Sequence, residues 1–132
     1  MDETRGSRFL LLSGLQLERA DRHIHCRVQL TGGAKSFSGE AFEMDSPTGR
    51  ARAAARATLA AAEQVADGIT LGLEGVTLLS LFSRSYVAVS VEAAYDRQFV
   101  LLAGLVTLEP TRAIEDAAVL ATLGAIDRWI VR

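Results

Sequence analysis

Between His23 and Leu30 apolar and polar residues alternate without a break. Ile24, Cys26, Val28 and Leu30 face one way, and His23, His25, Arg27 and Gln29 the other. That period of two predicts a β-strand with one wet face. Thr31-Gly32-Gly33-Ala34 supplies hairpin chemistry, because glycine accepts positive φ without penalty, and Ser36 to Met44 returns as the partner strand. Upstream, Phe9 to Glu18 is apolar at nearly every position and reads as a buried strand, followed by a turn at Asp21-Arg22. After Met44 the pattern changes to a helix start. Asp45 or Ser46 caps free backbone N–H groups, Pro47 fits the first helical position, and an alanine-rich run continues to Ala66. Asp67-Gly68 ends it.

The second half follows the same plan. Ile69 to Phe82 is a long apolar stretch broken by Gly72 and Gly75, either one bent strand or an entry segment followed by a strand. Ser83-Arg84-Ser85 reads as a turn. Tyr86 to Ala94 alternates, with Val87, Val89, Val91 and Ala93 on one face. Tyr95-Asp96-Arg97 turns again, and Gln98 to Leu108 is apolar on both faces. Glu109-Pro110-Thr111 repeats the helix-start logic, and the last helix runs to about Val131.

The two halves also share words. Gly14-Leu15-Gln16-Leu17 is echoed by Gly75-Val76-Thr77-Leu78, Pro47-Thr48 by Pro110-Thr111, and Ala57-Thr58-Leu59 by Ala121-Thr122-Leu123, at offsets of 61, 63 and 64. Order is kept and the spacing drifts only by loop-sized steps, the mark of an internal repeat. The expected fold is therefore α+β: residues 1–132 form a single domain of two tandem β-β-β-α units, about 9–66 and 69–131, with antiparallel strands and two helices.

Composition narrows the function. Hydrophobic residues make up 49% of the 132 and charged residues 23%, the balance of a folded soluble protein. A net charge of -2 supplies no field to collect nucleic acid or anionic lipid. Cys26 is alone, so no intrachain disulfide forms. Arg5 and Arg8 followed by Phe9 to Leu12 imitate an export signal. The apolar run is short, however, Asp2 and Glu3 precede it, and no small-residue cleavage pattern follows. No stretch approaches the roughly 20 apolar residues of a membrane span. The reading is a cytoplasmic chain with no membrane or nucleic-acid partner.

The apolar faces outnumber what two helices can cover. The final helix carries one stripe of Val119, Leu123, Ile126 and Ile130, and a second of Ile114, Ala118, Ala121, Ala125 and Trp129. The first helix has a stripe of Ala51, Ala54, Ala55, Thr58, Leu59, Ala62 and Val65, beside a bare alanine surface at Ala53, Ala57, Ala60 and Ala61. In the last strand Phe99, Leu101, Ala103 and Leu105 lie on one side, and Val100, Leu102, Val106 and Leu108 on the other. The second face is covered by another copy, making a homodimer, or by the other half's sheet within one chain.

The stretch Gly104-Leu105-Val106-Thr107-Leu108-Glu109-Pro110, then Ala117-Ala118, Ala121 and Ala125-Ile126-Asp127-Arg128, together with Gly39, Asp45 and the Ala51 to Ala62 helix, resembles a known family. It is similar to the C-terminal regulatory (dimerisation) domain of 2-isopropylmalate synthase and citramalate synthase, a tandem β-β-β-α repeat. The resemblance implies dimerisation and binding of an amino acid or related small effector near the symmetry interface. It also implies no synthase reaction, because the family's catalytic barrel is absent. Asp127 stands where the family has asparagine, and Pro47 and Pro110 open the helices differently.

The candidate ligand-binding residues are Asp45, Ser46 and Thr48 at the first helix start and Glu109 and Thr111 at the second. Helix N-termini favour anions, though ordinary capping uses the same residues. His23 and His25 share a strand face and could share a metal, but no third histidine exists and Cys26 points the other way, so an exposed polar face accounts for them as well. Gly68, Gly72 and Gly75 lack the context of a phosphate loop and suit a bulge. Arg50, Arg52 and Arg56 read as a solvated face. No catalytic residue, metal site or cofactor is expected. The expected function is non-catalytic dimerisation with regulatory sensing of a small molecule such as an amino acid. The alternatives are a protein-interaction scaffold without ligand, and an enzyme with an intersubunit active site.

Overall fold

A computed structural model describes residues 9–130. Arg5, Arg8 and the acidic residues before them, and Val131 at the expected helix end, lie outside the described residues. The element order is β1 (Leu11–Ala20), β2 (His23–Gly32), β3 (Lys35–Met44), α1 (Pro47–Ala62), a 3-10 turn (Glu63–Val65), β4 (Ile69–Leu81), β5 (Arg84–Tyr95), β6 (Gln98–Thr107) and α2 (Ile114–Ile130). Strands β1-β2-β3 form one antiparallel sheet, sheet A, and β4-β5-β6 a second, sheet B. The α+β fold of two β-β-β-α units is thus the one the pattern predicted.

The shared words are shared devices. Gly14 and Gly75 mark equivalent β-bulges, where the pairing slips between Leu12 and Gly14 in β1 and between Leu73 and Gly75 in β4. A bulge inserts one residue and flips the side-chain phase. Leu10 and Leu12 before it, and Leu15 and Leu17 after it, therefore all join or pack on the core despite their odd spacing; Leu71, Leu73 and Val76 repeat this in β4. This explains why Phe9 to Glu18 reads as apolar throughout, and it corrects the expectation of a buried strand. β1 is an edge strand with Leu11 exposed and Leu15 and Leu17 only half-buried.

Ala57-Thr58-Leu59 and Ala121-Thr122-Leu123 are the contact points of helix on sheet. A Cβ on Gly39 would lie 2.2 Å from the Ala57 carbonyl oxygen, and one on Gly104 would lie 1.9 Å from that of Ala121. Each helix backbone thus rests on a strand at a glycine. Thr58 and Thr122 are buried, and each hydroxyl donates to the carbonyl four residues back, Ala54 and Ala118, at 2.7 Å. Leu59 and Leu123 are buried as expected.

The helices pack on each other as well as on their own sheets, and α1 also packs against β4. The alanine surface of α1 goes into these contacts: Ala53, Ala57 and Ala61 are buried. Two equivalent clasps join the halves. The Glu63 carboxylate accepts the Leu71 backbone N–H at 2.7 Å, and the Asp127 carboxylate accepts that of Phe9 at 3.0 Å. Each helix end thereby holds the start of the other unit's first strand.

The halves differ at the second helix start. Pro47 opens α1, and Ser46 Oγ accepts the Gly49 N–H at 2.8 Å. Pro110 does not open α2, which corrects the sequence reading. Arg112 N–H bonds the Glu109 carbonyl at 3.0 Å, so Glu109 to Arg112 is a turn with proline in its second position. α2 begins at Ile114, with Glu115 and Asp116 supplying negative charge to its first turn. The first helix is also shorter than expected, giving way to the 3-10 turn after Ala62. The turn expected at Ser83-Arg84-Ser85 lies one step earlier, where Phe82 and Ser83 both take positive φ.

Candidate functional site

The expected ligand-binding residues stand at the openings of two different helices. Asp45 is tied down: its carboxylate pairs with Arg19 at 2.7 Å and Arg50 at 3.4 Å, and its N–H bonds the Arg22 carbonyl at 2.7 Å. Asp45 Oδ1 and Arg50 Nε have no hydrogen bond among the described residues, but they are each other's ion-pair partners. Ser46 is engaged as the cap, and Thr48 is exposed. Glu109 and Thr111 are exposed on the turn before α2. Among the described residues, no hydrogen bond or ion pair links the first group to the second.

The arginines of α1 fasten the helix to its sheet. Arg56 Nη1 bonds the Phe42 carbonyl at 2.9 Å and Glu43 at 2.7 Å, and Arg52 approaches the same carboxylate at 3.6 Å. His25 stacks on Phe42 with centroids 4.4 Å apart and meets Glu40 at 2.5 Å and Glu18 at 3.8 Å. Among the described residues, no group of three or more His, Cys, Asp or Glu side chains could hold a metal. Cys26 is fully buried, and burial, reinforced by Glu115, pushes its thiol up to about 11. It is a core side chain without nucleophilic character at neutral pH.

The faces turned away from the helices separate the two sheets most clearly. On sheet A, Arg27 lies opposite Glu40 and Gln29 opposite Ser38. At the equivalent positions of sheet B, Ala88 lies opposite Leu105 and Ser90 opposite Ala103. Leu101 and Leu105 are each 54% exposed and Phe99 65%. The β6 face expected to need a cover is therefore open, and β6 is also an edge strand without a charged residue. β3, its counterpart, carries Lys35, Glu40 and Glu43. Charge on an edge strand blocks unwanted pairing, and β6 has none.

Sequence reasoning missed a cleft of about 610 Å³ at the far end of sheet B, between the β5–β6 hairpin, the end of α2 and the connector at Asp67. Val28 pairs with Gly39 and Val89 with Gly104, so the second hairpin is longer by two residue pairs, Ala94↔Phe99 and Tyr95↔Gln98. The unequal offsets of the repeated words carried that signal. Among the described residues, no helix is long and apolar enough to cross a membrane. The chain matches no family model, and no curated protein matches it.

Proposed function

We propose that this protein is a non-catalytic dimerisation module whose contact surface is the open face of sheet B, with a regulatory role in sensing a small molecule. The observation that carries the dimer is the difference between two sheets of one repeat. The same architecture keeps Arg27, Glu40 and Gln29 on one outer face and places Ala88, Leu105 and Ala103 on the other. Glu92, opposite Leu101, and Glu74, bonded to Ser90, lie beside this patch; an exposed apolar patch rimmed by polar groups marks an interaction surface, and a two-fold contact would use the same patch on both partners. The regulatory part draws on the resemblance to the synthase domain.

Sedimentation equilibrium at micromolar concentration is the test. The expected mass is twice that of the 14.1 kDa chain. Leu105→Glu, at a half-exposed position, should leave the fold intact by circular dichroism and return the protein to a monomer. A wild-type monomer at tens of micromolar would remove the reading. A dimer unaffected by Leu105→Glu would move the contact elsewhere.

A further inference from the structure

We propose that the cleft at the end of the β5–β6 hairpin binds a small amphipathic amine, its flat apolar body between Tyr95 and Trp129 and its ammonium group on Asp67. The proposal deepens the sensing part of the reading above and does not require the dimer.

The cleft belongs to the size class of small-molecule sites, which run from about 300 to 1,000 Å³. It is built where the repeat is broken. Tyr95, Gln98 and Phe99 lie on the hairpin extension that sheet A lacks. At the corresponding end of sheet A the space is filled, since a Cβ on Gly32 would meet Leu10 at 3.0 Å, Phe9 at 3.4 Å and Phe37 at 3.5 Å.

The lining is selective in chemistry as well as size. One aromatic ring, Tyr95, comes from the hairpin and one, Trp129, from the last turn of α2, while Phe99 borders the cleft from the strand edge with its side chain on the outer face. Among the described residues the only stacked aromatic pair is His25 with Phe42, so Tyr95 and Trp129 are not used up on each other. Among the described residues, Asp67 is the only charged one in the lining. Its carboxylate makes no ion pair or hydrogen bond among the described residues. Aromatic faces attract cations, a carboxylate fixes one, and the C-terminal end of α2 adds the negative pole of its dipole. The same set repels an anion of equal shape, while the Gln98 amide can hydrogen-bond a polar substituent.

Trp129 is the chain's single tryptophan, so its fluorescence reports the cleft directly. The full chain would be titrated with phenethylamine, with phenylpropionate as the anionic match and phenylethanol as the neutral one. Amide chemical shifts at Asp67, Tyr95 and Phe99 give an independent readout. Phenethylamine should produce a saturable change in both signals, with the anion at least tenfold weaker, or about 1.4 kcal/mol. Asp67→Asn should weaken the amine by a similar factor. Tyr95→Ala, at a 53% exposed position, should weaken all three probes without unfolding the chain. The absence of any saturable change would overturn the proposal, as would equal binding of amine and anion, or an Asp67→Asn variant that binds as before. Sedimentation of the same samples separates the readings. A monomer that binds phenethylamine removes only the dimer, and a dimer that binds nothing removes only the cleft.

Discussion

Replacing Gly104 by alanine tests the central packing contact of the second unit. The new Cβ would lie 1.9 Å from the Ala121 oxygen, 2.8 Å from the Ala121 carbonyl carbon and 3.1 Å from the Ala125 nitrogen. All three are helix backbone, so no rotamer change relieves the overlap. Comfortable contact needs roughly 3.5 Å, so α2 must lift off β6 by more than an ångström. That movement loosens Val119, Leu123 and Ile126, all fully or almost fully buried. Overpacking of this kind costs about 1–3 kcal/mol, and alanine returns about 0.5–1 kcal/mol by restricting the unfolded chain. The net expectation is a loss of about 1 kcal/mol relative to the unchanged chain, and of about 2 kcal/mol relative to a glycine-to-alanine change without overlap. The control is Gly75→Ala, where the added Cβ meets nothing within 4 Å; it should be neutral or slightly stabilising. Urea denaturation followed by circular dichroism gives both values, and thermal melts should separate the variants by roughly 8 °C at about 4 °C per kcal/mol. If Gly104→Ala falls within about 0.5 kcal/mol of Gly75→Ala, the close approach of helix to strand does not hold.

Leu59→Ala and Leu123→Ala should each cost about 2–5 kcal/mol by denaturant titration, since both leucines are buried at equivalent points of the repeat. Asp127→Ala should cost about 1 kcal/mol by loss of the acceptor for the Phe9 N–H, whereas Asp127→Asn keeps an oxygen there and should be nearly neutral. Stability should fall between about pH 9 and 11. Folded Cys26 stays protonated up to about 11 while the unfolded thiol ionises near 9.0, so the unfolded state gains by losing its proton over that window. The loss is on the order of 2 kcal/mol, and Cys26→Ser, compared by chemical denaturation across the same pH range, should flatten it.

Much of the fold was legible because it rests on local periodicity. The alternation from His23 to Leu30 gave β2 its buried face, and the repeated Ala-Thr-Leu words fell on the two helix–strand contacts. Other features depend on partners distant in sequence. β1 looked buried because a bulge at Gly14 splices two period-two runs, and only the neighbouring strand fixes which positions face in. Pro110 matched Pro47 in sequence, yet the chain leaving β6 closes a turn there first. The Glu63 and Asp127 clasps link carboxylates to strand N–H groups in the other half, and no local pattern marks them. The open β6 face was foreseen from its residues. The cleft was not, because it gathers a hairpin end, a helix end and a connector.

The two clasps are chemically alike but unequal in what the chain must do to close them. Glu63 reaches Leu71 across 8 positions, while Asp127 reaches Phe9 across 118. Loop-closure entropy grows as the logarithm of loop length, so the second ring costs about 2 kcal/mol more to form from the open chain. The symmetry of the finished fold is therefore not a symmetry of its assembly. The α1–β4 junction is expected to set early, as a local corner, and the Phe9 end of the first strand to dock last. In rate measurements the Glu63→Ala penalty should then fall mainly on folding, and the Asp127→Ala penalty mainly on unfolding.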